Sequence, residues 1–169
     1  MSGTINLQDP LLQQVEKKIE SQLLPGVRAD YDKIVLAGLR AGLAENGKIM
    51  NMIADSKDPL SDVVKGAISL VGVLRKQSRG TMPLKAMIPA AFTLMVQGLD
   101  YADRAGVLEV DAAVVDQATE MFAETIMKLL GVSQAALQNL ATQVNGVMQD
   151  PAKMVQLKGE AGVNPYGAA

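Results

Sequence analysis

The sequence predicts an all-α protein, a single-domain bundle of about six to eight helices with a short irregular C-terminal tail. Apolar residues recur at helical spacing, and no segment alternates apolar and polar residues with the period of two that strands show. Aromatic residues make up only 3% of the 169 residues, whereas ten Met residues and many Ala contribute to the 49% that are hydrophobic. We therefore expect one domain with an aliphatic core over residues 1–158, followed by an extended tail at 159–169.

Three helix starts are marked by the dipeptide Asp-Pro, at residues 9–10, 58–59 and 150–151. Asp is a preferred N-cap, and Pro suits the first helical position because the N–H that it lacks would be unpaired there. With the apolar periodicity, these starts define eight helices. Their predicted bounds are about 10–24, 30–45, 49–53, 59–77, 83–104, 111–130, a seventh from Ser133, and a short one after Pro151.

The sixth predicted helix has two contrasting faces. One carries an apolar stripe, and the other carries charges at i, i+4 spacing, which indicates a face turned towards water. The stripe consists of Val115, Ala118, Phe122, Thr125 and Leu129, and the opposite face of Asp116, Glu120, Glu124 and Lys128. Residues 131–149, in contrast, carry no charge. They are compatible with burial against another subunit or with exposure to solvent.

The composition excludes several classes of chemistry. The chain has no Cys and no His, so disulfides, thiolate chemistry and imidazole catalysis are ruled out, and zinc, haem and iron–sulfur centres lose their usual ligands. A net charge of −2 gives no overall attraction to nucleic acid. The first ten residues do not read as a signal peptide, so we expect synthesis in the cytoplasm. We expect no catalytic residue, no bound metal and no cofactor.

Acidic residues gather between positions 100 and 124. Paired carboxylates can hold a hard cation or act as acid and base, but a di-iron bundle normally needs Glu-x-x-His pairs, and the chain has no His. A solvated face is the favoured interpretation. The residues concerned are Asp100, Asp103, Glu109, Asp111, Asp116, Glu120 and Glu124.

Basic residues gather around the turn between the fourth and fifth helices, at Arg75, Lys76, Arg79 and Lys85. They could bind phosphate or nucleic acid, although a solvated turn that complements the dipole of the fourth helix is favoured. A basic turn and an acidic belt on one small protein also favour head-to-tail contact between copies. On the second helix, Gly38 and Gly42 stand four residues apart and indicate a close helix crossing.

The fifth predicted helix contains the longest apolar run, fourteen uncharged residues between Lys85 and Asp100 with only Thr93 and Gln97 clearly polar. A membrane span needs about 20 apolar residues, and Pro89 interrupts this run. We therefore expect a central helix with other helices, or other copies, around it. Conditional membrane insertion of the hairpin 59–104 is the alternative.

The segment SKDPLSDVVKGAISLVGVLRKQSRGTMPLKAMIPAAFTLMVQGLDYADRAGVLEVD, with YDKIVLAGLRAGL before it and GVMQDPAKM after it, resembles a family of small helical virion-associated structural proteins of tailed bacteriophages. The resemblance spans about residues 10–160. It implies a component of the virion, tail-associated or internal and ejected with the DNA.

The leading hypothesis is accordingly a non-enzymatic structural protein, present in multiple copies that contact one another and other virion proteins. A membrane-active lysis or DNA-delivery factor, or a helical adaptor that binds one protein partner, are the alternatives. The candidate assembly contacts are Gly38, Gly42, Arg75, Lys76, Arg79, Asp116, Glu120, Glu124 and Tyr166.

Overall fold

The computed structural model describes residues 6–44, 48–131, 133 and 135, which form six helices and no strand. The predicted all-α class is confirmed. The helices are α1 (Pro10–Ser21), α2 (Arg28–Ala44), α3 (Lys48–Ala54), α4 (Pro59–Gln77), α5 (Leu84–Arg104) and α6 (Ala112–Leu130). The two helices predicted after Ser133, the tail at 159–169 and Tyr166 lie outside the described residues.

Aspartate caps begin three of these helices. The Asp9 carboxylate accepts a hydrogen bond from the Leu12 N–H at 3.0 Å, and the Asp58 carboxylate accepts one from Ser61 at 3.3 Å. Both Asp-Pro helix starts within the described range are therefore confirmed, and the pair at 150–151 lies outside it. Asp111 caps α6 in the same way, with its carboxylate 2.8 Å from the Val114 nitrogen.

The connection between α1 and α2 is longer than predicted. The first helix ends at Ser21 instead of Leu24, since the N–H groups of Gln22 and Leu23 bond three residues back, to Ile19 and Glu20. Pro25 then disfavours helical geometry at the residue before it, and Gly26 takes a left-handed conformation at φ +79°. The second helix begins at Arg28 instead of Asp30, since the Val27 carbonyl already accepts the Tyr31 N–H at 3.0 Å. Residues 22–27 therefore form a six-residue linker.

The helix α5 lies at the centre of the fold and continues through Pro89. Fifteen of its residues are buried, and it packs against α1, α2, α3 and α4. Its Phe92 ring also meets the Phe122 ring of α6 edge-on, with centroids 5.1 Å apart. The expected central buried helix is present, and helices of the same chain surround it.

The other helices are arranged around an antiparallel α4–α5 hairpin, in which Val63 near the start of α4 faces Gly98 near the end of α5. The helix α1 lies on α5, and α6 lies mainly on α4. The loop between α5 and α6 folds back on the last turn of α5, where the Val110 N–H donates to the Asp103 carboxylate at 3.1 Å. The helix α6 therefore begins beside the end of α5.

The buried stripe of α6 differs in part from the predicted one. Val115, Ala118 and Phe122 are buried as expected, but Ile126 takes the next buried position. Leu129, predicted to be in the stripe, is 55% exposed because it stands in the last turn of the helix, where no described residue covers it. Thr125 is half-buried.

Candidate functional site

A line of polar side chains runs along one face of α5 within its apolar surroundings. Thr93, Gln97 and Asp100 follow one another at i, i+4 and i+7, a spacing that places them on one helix face. Their exposed fractions are 0%, 6% and 1%. All three bind the N-terminal part of the chain, and together with these partners they form what we call the polar seam.

At one end of the polar seam, the Tyr31 hydroxyl of α2 lies 2.7 Å from the Thr93 hydroxyl, in hydrogen-bonding contact. Burial raises the pKa of the Tyr31 phenol well above its ordinary value, so this group remains neutral. The Arg28 guanidinium lies over the Tyr31 ring, 5.9 Å from its centroid. The hydrogen bond between Tyr31 and Thr93 joins α2 to the middle of α5.

In the middle of the seam, the Gln97 amide donates a hydrogen bond to the Glu16 carboxylate of α1 at 3.0 Å. Burial raises the pKa of Glu16, and the nearby carboxylates of Glu20 and Asp100 act in the same direction. The hydrogen bond from Gln97 opposes this shift without cancelling it. The folded protein therefore binds a proton at Glu16 more readily than the unfolded chain does.

At the other end, Asp100 holds the start of α1. Its Oδ1 accepts hydrogen bonds from the backbone N–H groups of Gln8 at 2.9 Å and Asp9 at 3.2 Å. The Arg104 Nε lies 2.9 Å from Oδ2, but its N–H points towards the Asp100 carbonyl oxygen, so Oδ2 has an ion pair without a hydrogen bond. The neighbouring Leu7 side chain is 3% exposed and belongs to the core.

Arg75, Lys76, Arg79 and Lys85 surround the connection from α4 to α5 and are named the basic turn. Lys76, Arg79 and Lys85 are exposed, whereas Arg75 is half-buried. Gly80 closes the end of α4 by donating its N–H to the Arg75 carbonyl at 2.9 Å. Arg79, immediately before it, has φ +55°, a conformation that residues with a Cβ rarely adopt.

Asp116, Glu120 and Glu124 form the acidic stripe on α6, and all three are exposed. The predicted solvated face of this helix is present in the structure. They stand at i, i+4 and i+8, so a rise of 1.5 Å per residue spreads three carboxylates over about 12 Å of helix.

Gly38 and Gly42, two of the candidate assembly contacts, are buried within the chain. A Cβ at Gly38 would overlap the Leu94 side chain of α5, whereas one at Gly42 would lie 3.9 Å from the Leu70 Cδ1 of α4. The predicted close helix crossing is therefore present where α2 crosses the α4–α5 hairpin. The Leu94 side chain fills the space beside Gly38, whereas Gly42 has only an ordinary van der Waals contact.

A cavity of about 60 Å³ lies beside this crossing, between α2, α3, α4 and α5. Gly42, Gly66 and Gly98 are among its lining residues. Pockets that bind drug-sized ligands measure about 300–1,000 Å³, so this space holds at most one or two waters. We interpret it as a gap between helices that meet at glycines.

The polar seam was not predicted from the sequence, although the sequence contains the spacing that indicates it. Thr93 and Gln97 are the two clearly polar side chains in the longest apolar run, and Asp100 ends that run on the same helix face. The periodicity identifies the face, but it does not identify which helix covers it.

In the described part of the chain, no group of three or more Asp and Glu side chains could hold a metal ion. None of the helices that the structure describes combines the length and the apolar character needed to cross a membrane. Comparisons of the sequence with protein-family models and with curated proteins, and of the structure with solved structures, found no match.

Proposed function

We propose that this chain is a non-enzymatic structural component of a bacteriophage virion, tail-associated or internal and ejected with the DNA. It is present in multiple copies, which contact one another through the basic turn and the acidic stripe. The resemblance of residues 10–160 to virion-associated proteins supports the location, and the distribution of exposed apolar side chains supports the contacts.

One observation carries the assembly part of the proposal. Six large apolar side chains are well exposed among the described residues, and four of them are neighbours of the two charged surfaces. Val73 precedes the basic turn and Leu84 lies within it, at 51% and 38% exposure, and Met127 and Leu129 follow the acidic stripe at 40% and 55%. Protein interfaces typically combine apolar groups with charged groups, and the two surfaces that face each other carry charges of opposite sign.

Because the two surfaces differ, a contact between them is heterologous, and repetition of it produces a ring or a helical filament. Exposed ion pairs contribute only about 0–1 kcal/mol each, so the charges mainly orient the copies and accelerate association. Burial of the apolar neighbours, at about 25 cal/mol per Å² of apolar surface, supplies most of the affinity. We therefore expect salt to weaken assembly without abolishing it.

Two measurements test the proposal. Mass spectrometry of purified virions, before and after DNA ejection, should detect the chain in the particle and distinguish a retained from an ejected component. Analytical ultracentrifugation of the purified protein should show a defined oligomer. A monomer that is absent from virions would overturn the proposal. Flotation with anionic vesicles would instead support the membrane-active alternative.

A further inference from the structure

We propose that one end of the helix bundle docks on the surface of an anionic lipid bilayer. This end, named the basic end, presents exposed cations and exposed apolar side chains together. The cations are Lys76, Arg79, Lys85 and Lys128, and the apolar side chains are Val73, Leu84, Met127 and Leu129. The inference goes beyond the proposed function, because a single copy carries the whole surface.

The end of α4, the start of α5 and the end of α6 lie at the same end of the fold. In the antiparallel α4–α5 hairpin, Val73 near the end of α4 and Leu84 at the start of α5 are neighbours along the bundle axis. The contacting rings of Phe92 and Phe122 lie eight residues after the start of α5 and eight residues before the end of α6. Because α6 begins beside the end of α5, these two helices are also antiparallel, and both termini lie about 12 Å beyond the phenylalanine pair.

The charge distribution along the bundle favours approach of the basic end to an anionic surface. The sequence has no acid between Asp62 and Asp100, and Glu124 is the last acid of α6. The exposed acids Glu109 and Asp111 follow the other end of α5, a helix of 21 residues that is about 30 Å long. An anionic surface therefore attracts the basic end and repels the opposite end.

The exposed apolar side chains favour a lipid bilayer over nucleic acid as the partner. Lys and Arg attract the phosphates of both, but a nucleic-acid backbone offers no apolar surface to the four apolar side chains. At a bilayer these side chains enter the boundary between headgroups and acyl chains, where they leave water. The rings of Phe92 and Phe122 are 1% exposed, so they are not available to stack on bases.

Docking at the surface differs from insertion of the hairpin 59–104. Insertion would have to expose the fifteen residues of α5 that are buried in the fold. Docking uses side chains that are already exposed and leaves the α4–α5 hairpin packed. Because headgroups and the acidic stripe of a neighbouring copy are both anionic, the two partners should compete for the basic end.

Cosedimentation of the purified full chain with lipid vesicles tests the inference. Vesicles of phosphatidylcholine and phosphatidylglycerol in equal parts should bind the protein, whereas vesicles of phosphatidylcholine alone should not. Each Lys or Arg near an anionic surface raises the affinity about fivefold, so Lys76→Gln with Lys85→Gln should lower it about 25-fold. The matched control, Lys57→Gln with Lys65→Gln, removes two exposed cations at the other end of α4 and should change the affinity less than about twofold.

A pair of methionines measures the apolar contribution. Met127→Gln replaces a side chain of the basic end that is 40% exposed, and the affinity for anionic vesicles should fall severalfold. Met52→Gln replaces a methionine that is 59% exposed in α3, which precedes the start of α4, and the affinity should not change. Both side chains are exposed, so neither substitution should lower the temperature of thermal unfolding.

Salt separates docking from insertion. About 1 M salt, at which the Debye length is about 3 Å, should release most of the protein from the vesicles. Retention at this salt concentration, absence of binding to the anionic vesicles, or equal losses in the two lysine pairs would each overturn the inference. Tighter binding to double-stranded DNA than to the vesicles would assign the basic end to nucleic acid instead. If the vesicle assay fails but the chain is found in virions, the inference is wrong and the proposed function stands.

Discussion

The Asp100 carboxylate accepts a hydrogen bond from the backbone N–H of Gln8, 92 residues earlier in the chain, at 2.9 Å. This contact ties the segment before α1 to the last turns of the central helix. The Asp100 carboxylate is 1% exposed, whereas its two partners lie at the edge of the fold, where Gln8 is exposed and Asp9 is half-buried. Asp100 therefore holds the segment before α1 against α5.

We expect Asp100→Ala to destabilise the protein by about 1–3 kcal/mol, because it removes the acceptor of two part-buried backbone N–H groups, those of Gln8 and Asp9. The loss should appear as a lower midpoint in urea denaturation. Amide hydrogen exchange should accelerate at Gln8 and Asp9, ahead of the core. Asp116→Ala, which removes an exposed carboxylate from α6, is the control and should change stability by less than about 0.5 kcal/mol. Equal effects of the two substitutions would contradict the role given to Asp100.

The raised pKa of Glu16 predicts a pH dependence with a definite sign. A carboxyl group that binds its proton more tightly in the folded state stabilises the fold at low pH, and this contribution is lost as the pH rises through the folded-state pKa, above 4.5. Glu16→Gln is uncharged at every pH and can still accept the Gln97 hydrogen bond. The urea midpoint of this variant should therefore fall less than that of the wild type as the pH rises above 4.5.

At pH 7 the Glu16→Gln variant should be at least as stable as the wild type. The exposed Glu120 provides the control, since Glu120→Gln should leave the pH profile of stability unchanged over the same range. A Glu16→Gln profile that runs parallel to the wild-type profile would show that Glu16 is not responsible for the dependence.

Two helical glycines should respond to Ala in opposite directions. A Cβ at Gly98 would lie 2.8 Å from the Cγ1 of Val63, a stiff side chain that is 2% exposed, so Gly98→Ala should destabilise the protein by about 1–2 kcal/mol. A Cβ at Gly66 meets nothing within 4 Å, so Gly66→Ala should stabilise it by about 0.5–1 kcal/mol. Thermal unfolding measures both. Stabilisation by Gly98→Ala would mean that the α4–α5 crossing is looser than described.

Charge reversal tests the proposed contact between the basic turn and the acidic stripe. Lys76→Glu with Arg79→Glu, or Glu120→Lys with Glu124→Lys, should each weaken oligomerisation about tenfold, because like charges then face each other. Combination of all four substitutions in one chain restores opposite charges and should recover most of the lost affinity. Sedimentation at low and high salt measures these changes. Failure of the combined variant to recover would exclude direct pairing of these surfaces.

Arg79 combines an unfavourable backbone conformation with a position in the basic turn. The backbone of Arg79 has φ +55°, which glycine adopts without steric conflict. The substitution Arg79→Gly should therefore stabilise the monomer by about 0.5–1 kcal/mol. The same substitution removes a charge from the proposed contact and should weaken assembly. Arg79→Lys keeps both the charge and the backbone strain, so neither property should change much. A parallel loss of assembly in both variants would argue against a role for the charge.

Local chemistry explains why most helix bounds could be predicted. The sequence predicts α4 at 59–77, and the structure has the same bounds, because Asp58 and Pro59 fit the first turn and the helix ends before a turn closed by Gly80. The linker 22–27 shows the limit of such reasoning. Leu23 and Leu24 continue the apolar pattern of the first helix, but the helix closes before them with bonds from Gln22 and Leu23 to the carbonyls three residues back.

The site was less predictable, because it depends on which elements meet. The exposure of Asp116, Glu120 and Glu124 follows from the periodicity of one helix and could be predicted. The pairing of Gln97 with Glu16 joins residues 81 positions apart, and many apolar faces of this chain could have covered α5 instead. The burial of Gly38 likewise depends on which helix crosses α2 at this point. The spacing of Gly38 and Gly42 alone does not identify that helix, because the same spacing also occurs at helix contacts between chains.

The separation of Gln8 from Asp100 has a consequence for the synthesis of the protein. A ribosome that adds roughly 5–20 residues per second needs on the order of 5–20 seconds to make the intervening chain. Throughout this interval the apolar side chains of α1 have no native site on their own chain. Docking of α1 therefore waits until α5 has been synthesised.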